Sequence, residues 1–362
     1  MQRRNRYSDW FTYEKNTAIV SRRNIELMNT PMPTWLQFFT TPVSWLYTKI
    51  IRIRNRHYDK GKNVHSAALP VIAVGNVTVG GTGKTPLVTW IVRKLRSHGY
   101  NPAIVMRGYA AVDPQNADEA VEYREKLKDI DVIVGSNRVE TIQKYIEGGG
   151  TADCLIMDDG FQHRRLARDV DIVVMDYLRD PFLQRVLPAG WLREPIEGLQ
   201  RCDAVVVSHA NCVVEEFAEK VRNITGENPV AWTSHHWSGL ELFDAEGKSE
   251  RPLDWLTGRS VAVRLGIGYP GPVIEALVRL GTKISLQLHA GDHQPFTNDE
   301  ITQLKKASAE VDGIVMTFKD WVKARDVIDL STLQCPIIVP ALELDFVQGA
   351  DQLEAKLLAV MK

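Results

Sequence analysis

The stretch LPVIAVGNVTVGGTGKTP (residues 69–86) joins an apolar run to a segment with four glycines, three threonines and a lysine. A strand, a glycine-rich turn and a helix that opens on Lys84 and Thr85 form the geometry of a phosphate-binding loop. Glycines let backbone N–H groups converge on phosphate oxygens, and the helix N-terminus adds positive partial charge. The sequence therefore predicts a nucleotide site, with Lys84 on the β- and γ-phosphates and Thr85 on Mg²⁺.

The spelling of this loop is irregular. The pattern G-x-x-x-x-G-K-[ST] requires glycine at position 78, where this chain has Thr78. The lysine, the threonine and the preceding strand still lie where a phosphate loop needs them, although an ordinary glycine-rich turn is the alternative. The predicted nucleotide-binding residues are Thr78, Val79, Gly80, Gly81, Thr82, Gly83, Lys84 and Thr85.

A second motif, CLIMDDGFQH (154–163), supplies acids at the end of another apolar run. Adjacent carboxylates repel each other unless a cation lies between them, so Asp158 and Asp159 are candidate magnesium ligands. A solvated turn or a helix cap is the alternative. His163 and the arginines that follow it are either a clamp for a substrate phosphate or a solvated helix face.

Composition bounds the fold and the partners. The 362 residues suffice for one large or two ordinary domains, and their net charge of −1 creates no general attraction to nucleic acid. Apolar runs alternate with helical patterns, which predicts a parallel sheet with helices on both faces. A second series of strands and helices begins near residue 260, and the turn-rich segment that starts at Ser234 favours a boundary between two lobes near residue 230.

The N-terminal region predicts contact with a membrane surface rather than a spanning helix. Residues 27–48 carry no charge but contain three prolines, which argues against a span. From Val43 a helical wheel collects apolar residues on one face and basic residues on the other, as an in-plane interfacial helix requires. The apolar residues are Val43, Leu46, Tyr47, Ile50 and Ile53, the basic ones Lys49, Arg52 and Arg56, and the aromatic ones Trp35, Phe38, Phe39 and Trp45. Packing of this helix on the protein's own core is the alternative.

Taken together, the motifs resemble those of the tetraacyldisaccharide 4'-kinase family. They are VGNVTVGGTGKTP (74–86), RGY (107–109), DDGFQHRRLARDVDIVVMD (158–176) and LPAGWLREP (187–195), with weaker echoes in GIGYP (266–270), DH (292–293) and TFKD (317–320). The resemblance implies transfer of the γ-phosphoryl group of ATP to the 4'-hydroxyl of a tetraacylated glucosamine disaccharide 1-phosphate. It also implies work at the cytoplasmic face of the inner membrane, without nucleic acid.

The fold that the resemblance implies is a P-loop NTPase-like α/β core with a smaller C-terminal α/β lobe, joined by a two-stranded hinge. The expected division is an N-terminal membrane-interface segment (1–66), a kinase core (67–230) and a C-terminal lobe (231–362).

Site residues also follow from the resemblance. It implies that Asp118 accepts the substrate proton, paired with His293 from the second lobe, and that Lys84 serves catalysis. The implied metal ligands are Thr85, Glu119, Asp158 and Asp159. His163, Arg193 and Glu194 are implied to line the substrate cleft.

Two other functions remain open on the residues alone. One is a nucleotide-hydrolysing switch or metal-delivery GTPase, for which TFKD (317–320) is an imperfect guanine-reading motif. The other is a soluble small-molecule kinase or ligase on the same scaffold.

Overall fold

The structure is a computed structural model that describes residues 34–108, 117–268, 270–291 and 294–361. The first half contains α1 (Thr34–Asp59), β1 (Val71–Asn76), α2 (Lys84–Ser97), β2 (Pro102–Met106), α3 (Asp118–Lys126), β3 (Asp131–Val134), α4 (Arg138–Glu147), β4 (Cys154–Asp158), β5 (Val170–Asp176), β6 (Ala204–Ser208) and α5 (Glu215–Thr225). The second half contains β7 (Ala231–Asp244), β8 (Gly247–Arg251), β9 (Ser260–Leu265), α6 (Gly271–Arg279), β10 (Lys283–His289), α7 (Asn298–Ala307), β11 (Gly313–Met316), α8 (Phe318–Ala324), β12 (Ile337–Gln348) and α9 (Ala350–Ala359).

Across the described ranges, all strands belong to one sheet with the order β10-β9-β11-β12-β7-β6-β5-β1-β4-β2-β3, and β8 pairs with β7. The pairs among β1 to β6 are all parallel. Strand β1 lies between β4 and β5, so the glycine loop and the two aspartates emerge side by side at the carboxyl edge. Ligands of open parallel sheets bind at this edge. The predicted α/β fold with a parallel sheet is confirmed.

Two long strands connect the two lobes. Strands β7 and β12 pair antiparallel along almost their whole length. Strand β7 meets β6 at only two residue pairs, and β12 meets β11 at only two. Between these short contacts the β7–β12 ribbon carries the sheet alone, as the two-stranded connection of the resemblance implies. We call the part on the β6 side the first lobe and the part on the β11 side the second lobe.

The segment from Ser234 to Trp255 is not a turn-rich linker as the sequence suggested. Most of it is the β7–β8 hairpin, and Leu240 and Leu242 point into the core of the second lobe. The first part of β7 was not recognised as a strand, because the residues before Leu240 include histidine, serine and glycine. These residues are poor strand formers and lie where the ribbon is half-exposed.

The last helix corrects the predicted division of the chain. Helix α9 was expected in the second lobe, within residues 231–362, but Leu353 and Leu357 pack into the core of the first lobe with Leu95. That prediction is wrong for α9, because β12 returns the chain through the ribbon to the first lobe. The other predicted domain bounds stay predictions.

Helix α1 lies against the first lobe through polar groups. Ser44 Oγ donates to the carbonyl of Val186 at 2.7 Å, Tyr47 Oη donates to that of Arg193 at 3.1 Å, and Ile51 is buried. The sequence placed Tyr47 on the apolar stripe, but the structure places it on this docked face. The remaining stripe and its aromatic neighbours are at least half exposed: Phe38, Phe39, Val43, Trp45, Leu46, Ile50 and Ile53. Within the part of the chain that the structure describes, helices long and apolar enough to cross a bilayer are absent.

Candidate active site

The glycine loop is shaped by contacts that leave no room for side chains. Gly83 precedes α2 with φ of 80°, and a Cβ there would lie 2.6 Å from the imidazole of His235. A Cβ on Gly75 would lie 2.5 Å from the backbone nitrogen of Phe161, in the turn after Asp159. The loop and the aspartate turn therefore pack directly on each other. Only glycine permits this approach.

Threonines in the loop have structural partners. Asn76 Nδ2 donates to Thr82 Oγ1 at 3.1 Å, and Ser208 Oγ donates to the Thr82 carbonyl at 2.8 Å. Thr78, which stands where the strict motif has glycine, is buried and forms a β-bridge with Leu192. The residue that departs from the strict motif is therefore part of the contacts that connect the loop to its neighbours.

The LPAGWLREP segment (187–195) forms backbone hydrogen bonds with the residues at the beginning of the glycine loop. The Val79 N–H donates to the carbonyl of Trp191, and the Arg193 N–H donates to that of Val77, both at 2.8 Å. These two bonds place the guanidinium of Arg193 beside the aspartate turn. This pairing could not be predicted from local patterns, because more than one hundred residues separate the two segments.

Asp159 is held between two cations. Lys84 Nζ lies 3.5 Å from its Oδ1, and Arg193 Nη1 donates to Oδ1 and Oδ2 at 2.8 and 2.7 Å. Burial opposes its ionisation, but Lys84 and Arg193 outweigh burial and lower the pKa of Asp159 to about 2. Asp159 is therefore a permanent anion that orients Lys84.

Asp158 has the opposite environment. It is buried, and Tyr123 Oη donates to its Oδ2 at 2.9 Å. Burial, together with the nearby charges of Glu119 and Asp159, raises the pKa of Asp158 to about 6, although Lys84 acts in the other direction. Neighbouring carboxylates with pKa values pushed apart are the signature of a divided chemical role.

Arg138 is a site residue that the sequence analysis missed. Its guanidinium donates to the backbone carbonyls of Asp158 and Asp159 at 2.7 and 3.1 Å, and its side chain is buried. It is the first residue of α4, where a positive charge opposes the helix dipole. That unfavourable placement was the available signal.

His163 lines the cleft, and its Nε2 has no hydrogen-bond partner among the described residues. Burial and then the charges of Arg138, Arg168 and Arg165 lower the pKa of His163 to about 4. The imidazole is therefore neutral at physiological pH. Arg168 itself is a structural residue, since its Nε contacts Asp171 at 2.8 Å.

Glu194 does not line the cleft, contrary to the prediction. Its carboxylate is buried and accepts from both terminal nitrogens of Arg201 at 2.8 and 2.7 Å. Gln162 and Asn55 also donate to it, at 2.9 and 3.1 Å. Glu194 thus ties α1 and the aspartate turn together behind Arg193, which does line the cleft.

Asp118 and Glu119 form the first turn of α3, and both pair with lysines of the second lobe. Lys323 Nζ lies 3.0 Å from Asp118 Oδ2, and Lys319 Nζ lies 2.9 Å from Glu119 Oε1. Glu119 lines the cleft and is close enough to Asp158 to raise its pKa. The predicted partner His293 lies outside the described residues.

The oxygen donors at this edge fit magnesium. No cluster of three or more His, Cys, Asp or Glu side chains suited to a metal occurs among the residues for which the structure gives positions. Mg²⁺ is usually held by one or two carboxylates together with substrate phosphates and water, so such a cluster is not required. Burial is the main cause of the raised pKa of Asp158, and the charges of Glu119 and Asp159 add to it; a divalent cation would offset that negative charge.

The TFKD motif (317–320) does not form a guanine-reading site. Asp320 is fully buried, pairs with the buried guanidinium of Arg264 and accepts from the Gly266 N–H at 3.0 Å. Thr317 Oγ1 donates to the same carboxylate at 2.7 Å and caps α8. Because these groups satisfy the charge and the hydrogen-bonding capacity of Asp320, the motif has a structural role inside the second lobe.

A cleft of about 2940 Å³ runs between the lobes. Its walls include Lys84, Asp158 and Arg193 from the first lobe and Thr317 and Lys319 from the second. This volume exceeds the roughly 300–1,000 Å³ of a pocket for one small ligand. It therefore accommodates a nucleotide together with a second, larger substrate.

A parallel sheet, a glycine loop before a helix, a lysine held by an aspartate and an acidic strand tip define a P-loop-type nucleotide-binding enzyme. The model of the tetraacyldisaccharide-1-P 4'-kinase family matches residues 36–362. The tetraacyldisaccharide 4'-kinase of Syntrophotalea carbinolica is 35% identical over 344 residues, which cover 89% of this chain and 92% of the relative. The chain belongs to the tetraacyldisaccharide 4'-kinase family and is a kinase.

Further relatives agree with this assignment. The tetraacyldisaccharide 4'-kinase of Chlorobium luteolum is 33% identical over 308 residues, covering 79% of this chain and 86% of the relative. The crystal structure of LpxK from Aquifex aeolicus in complex with ATP matches with a TM-score of 0.69 at 26% identity, covering 90% of this chain and all of that chain (100%). The family predicted from the motifs is confirmed.

Proposed function

We propose that this kinase transfers the γ-phosphoryl group of ATP to the 4'-hydroxyl of a tetraacylated glucosamine disaccharide 1-phosphate, in lipid A biosynthesis. The observation that carries the proposal is the convergence of Lys84, Asp158 and Asp159 at adjoining strand ends inside one cleft. In the reaction the sugar oxygen bonds to the γ-phosphorus as the bond to the β,γ-bridging oxygen breaks. The products are the bisphosphorylated lipid and ADP.

Phosphate binding is assigned to the glycine loop. The backbone N–H groups of residues 78–85 and the ammonium of Lys84 stabilise the charge on the transferring phosphoryl group. Asp159 and Arg193 hold Lys84 in place, because they form one ion-pair chain with it. Preorganised cations of this kind need no rearrangement as the transition state forms.

Magnesium is assigned to oxygen donors on three elements. The proposed donors are the Thr85 hydroxyl at the start of α2, the Asp158 carboxylate and the Glu119 carboxylate, which all line the cleft. When bound, the ion neutralises charge on the β- and γ-phosphates. Asp159, which the resemblance also assigned to the metal, is here proposed to act on Lys84 instead, because its charge is already matched.

Proton acceptance is assigned to Asp118. A sugar hydroxyl is a poor nucleophile, so a positioned base that takes its proton during attack assists transfer. The resemblance pairs this base with His293 of the second lobe, so chemistry would wait until the lobes close on the substrate. Neutral His163, with its unpartnered Nε2, is proposed to contact the disaccharide.

Membrane contact is assigned to α1. Its stripe of exposed apolar residues points away from the first lobe, so the alternative of packing on the protein's own core is not supported. Exposed Lys49, Arg52 and Arg56 lie on the same helix and complement an anionic lipid surface. We therefore propose peripheral binding at the cytoplasmic face of the inner membrane, where an acylated acceptor is available.

The membrane prediction uses the triple variant Phe38→Ala, Phe39→Ala, Trp45→Ala. Its binding to vesicles that contain anionic phospholipid should fall at least about tenfold, because the three aromatic rings each contribute on the order of 1 kcal/mol or more when they leave water. Sedimentation with vesicles measures the bound fraction. The double variant Val278→Ala, Val327→Ala removes exposed apolar groups from the second lobe and should bind as the wild type does. A triple variant that stays fully bound would remove α1 from membrane binding.

The transfer prediction uses radiolabelled ATP and tetraacyldisaccharide 1-phosphate, with separation of the lipid product by thin-layer chromatography. Wild type should label the lipid, and Asp118→Ala should lower the rate by roughly 10²- to 10⁴-fold, the usual contribution of a general base. Glu125→Gln is the control, because Glu125 lies on the same helix and also pairs across the lobes, with Arg325. Acceptor-independent turnover of GTP would favour the hydrolysing switch, and labelling of small soluble alcohols would favour a soluble kinase.

A further inference from the structure

Two short helices of opposite charge face each other across the lobes. Helix α8 of the second lobe places Lys319 beside Glu119 and Lys323 beside Asp118, with N–O distances of 2.9 and 3.0 Å. Just after α8, Arg325 pairs with Glu125 near the end of α3. We call these three ion pairs the interlobe clasp.

Helix α8, which carries the two lysines of the interlobe clasp, is packed firmly in the second lobe. Asp320, one residue after Lys319, is fully buried against Arg264 and accepts from the Gly266 N–H. Trp321 stacks on Phe243 with ring centroids 4.2 Å apart. Because α8 is fixed in its own lobe in this way, the backbone that carries Lys319 and Lys323 moves only when the second lobe moves. Their pairing therefore reports the relative position of the lobes.

The Lys319–Glu119 and Lys323–Asp118 pairs, which we call the inner pairs, involve the carboxylates that the proposed function needs. Glu119 pairs with Lys319 and is also close enough to the buried carboxylate of Asp158 to raise its pKa. The Lys319 ammonium, 2.9 Å from Glu119 Oε1, already balances the charge of the carboxylate that a magnesium ion would use. Ammonium and magnesium therefore compete for the same negative charge.

We propose that Lys319 is the counter-ion of Glu119 in the nucleotide-free enzyme and that magnesium-nucleotide displaces it. Displacement breaks one of the three pairs of the interlobe clasp, so cation binding is coupled to loosening of the contact between the lobes. The nucleotide phosphates offer the released lysine a new anionic partner in the same cleft, since Lys319 lines it beside Lys84 and Glu119. This inference rests on the proposed function, because it takes Glu119 as a metal-side carboxylate.

The test replaces Lys319 with methionine, which keeps the length of the side chain and removes its charge. Mn²⁺ serves as the spectroscopic probe, titrated into protein with a non-hydrolysable ATP analogue and followed by electron paramagnetic resonance. Apparent Mn²⁺ affinity should rise about 3- to 10-fold in Lys319→Met, the size expected for loss of one competing half-exposed ion pair. An unchanged or weakened affinity would overturn the proposal.

Two matched variants isolate the cause. Arg325→Met breaks the outer pair of the interlobe clasp but touches no proposed metal carboxylate, so its Mn²⁺ affinity should stay within about twofold of wild type. Lys306→Met removes an exposed lysine from α7 in the same lobe and should change nothing. If Arg325→Met tightened Mn²⁺ as much as Lys319→Met, general loosening of the lobes would be the cause and the counter-ion role would be wrong.

A distance measurement gives a readout that is independent of activity. Spin labels on cysteines introduced at exposed Lys144 and Lys306, in a Cys212→Ser background, report the separation of the lobes. Without nucleotide, Lys323→Met should broaden the distance distribution toward that of magnesium-nucleotide-loaded wild type. If nucleotide-free Lys323→Met and nucleotide-free wild type gave the same narrow distance distribution, the role of the interlobe clasp would be wrong. Failure of wild type to bind Mn²⁺ with nucleotide at all would instead contradict the proposed kinase site.

Discussion

Replacing Lys84 with alanine should lower kcat/KM for phosphoryl transfer by roughly 10³-fold, the scale of losing a preorganised charge at the transferring phosphate. The loss has two sources. The ammonium is removed, and Asp159 keeps its negative charge next to the proposed phosphate site after losing one of its two ion-pair partners among the described residues. The transfer assay with radiolabelled ATP measures the rate, and thermal unfolding checks that the variant is folded.

Lys94→Ala is the control for Lys84. Lys94 is on the same helix α2, but it pairs with Glu354 of α9 at 2.9 Å, far along the helix from the glycine loop. Its removal should leave transfer within about twofold of wild type, since exposed ion pairs contribute little. A Lys84→Ala enzyme with near-normal kcat/KM would contradict the assignment of the glycine loop as the phosphate site.

Replacing Asp158 with asparagine should abolish most activity and stabilise the protein. Transfer should fall by about 10²- to 10³-fold, because a carboxylate that faces the proposed cation becomes neutral. At pH 8 the unfolding free energy should rise by about 1–3 kcal/mol, since a buried charge with a pKa near 6 is removed. The asparagine can still accept the Tyr123 hydrogen bond, so packing is retained.

The pH dependence of this gain has a definite sign. In the folded protein Asp158 holds its proton up to about pH 6, whereas an unfolded chain loses it near the ordinary value of 3.8. Wild type therefore loses stability as the pH rises through that window, and the asparagine variant does not. The difference in melting temperature should be largest above pH 7 and vanish near pH 4. Exposed Asp326→Asn is the control, and an equal melting temperature at pH 8 would contradict the environment assigned to Asp158.

Local patterns predicted the parallel core accurately. Strands β1, β2, β4, β5 and β6 are buried along their whole length, so each appears in the sequence as a mainly apolar run. The start of α2 at Lys84 is as the sequence predicted, because the glycine before it and the apolar spacing within it are both local signals. Likewise, the two aspartates could be paired with the loop because parallel strands end at one edge.

Partnerships across long sequence distances could not be predicted. Arg138 supports the aspartate turn, and Arg193 pairs with Asp159, but neither pairing has a short-range signature. The ribbon strand β12 was missed because its half-exposed residues alternate weakly and gain their stability from β7, about one hundred positions earlier in the chain. The type of a side chain indicates which chemistry it can perform, but only the fold determines which residues it contacts.

The return of α9 to the first lobe has a consequence for how the chain is made. The ribosome releases the N-terminal portion long before residues 350–359, yet Leu353 and Leu357 fill its interior. At about 5–20 residues per second, the stretch between β7 and α9 takes on the order of ten seconds to synthesise. During that interval the nascent nucleotide-binding half exposes an apolar groove beside α2. Tags or truncations at the C-terminus therefore act on the half of the enzyme that is translated first.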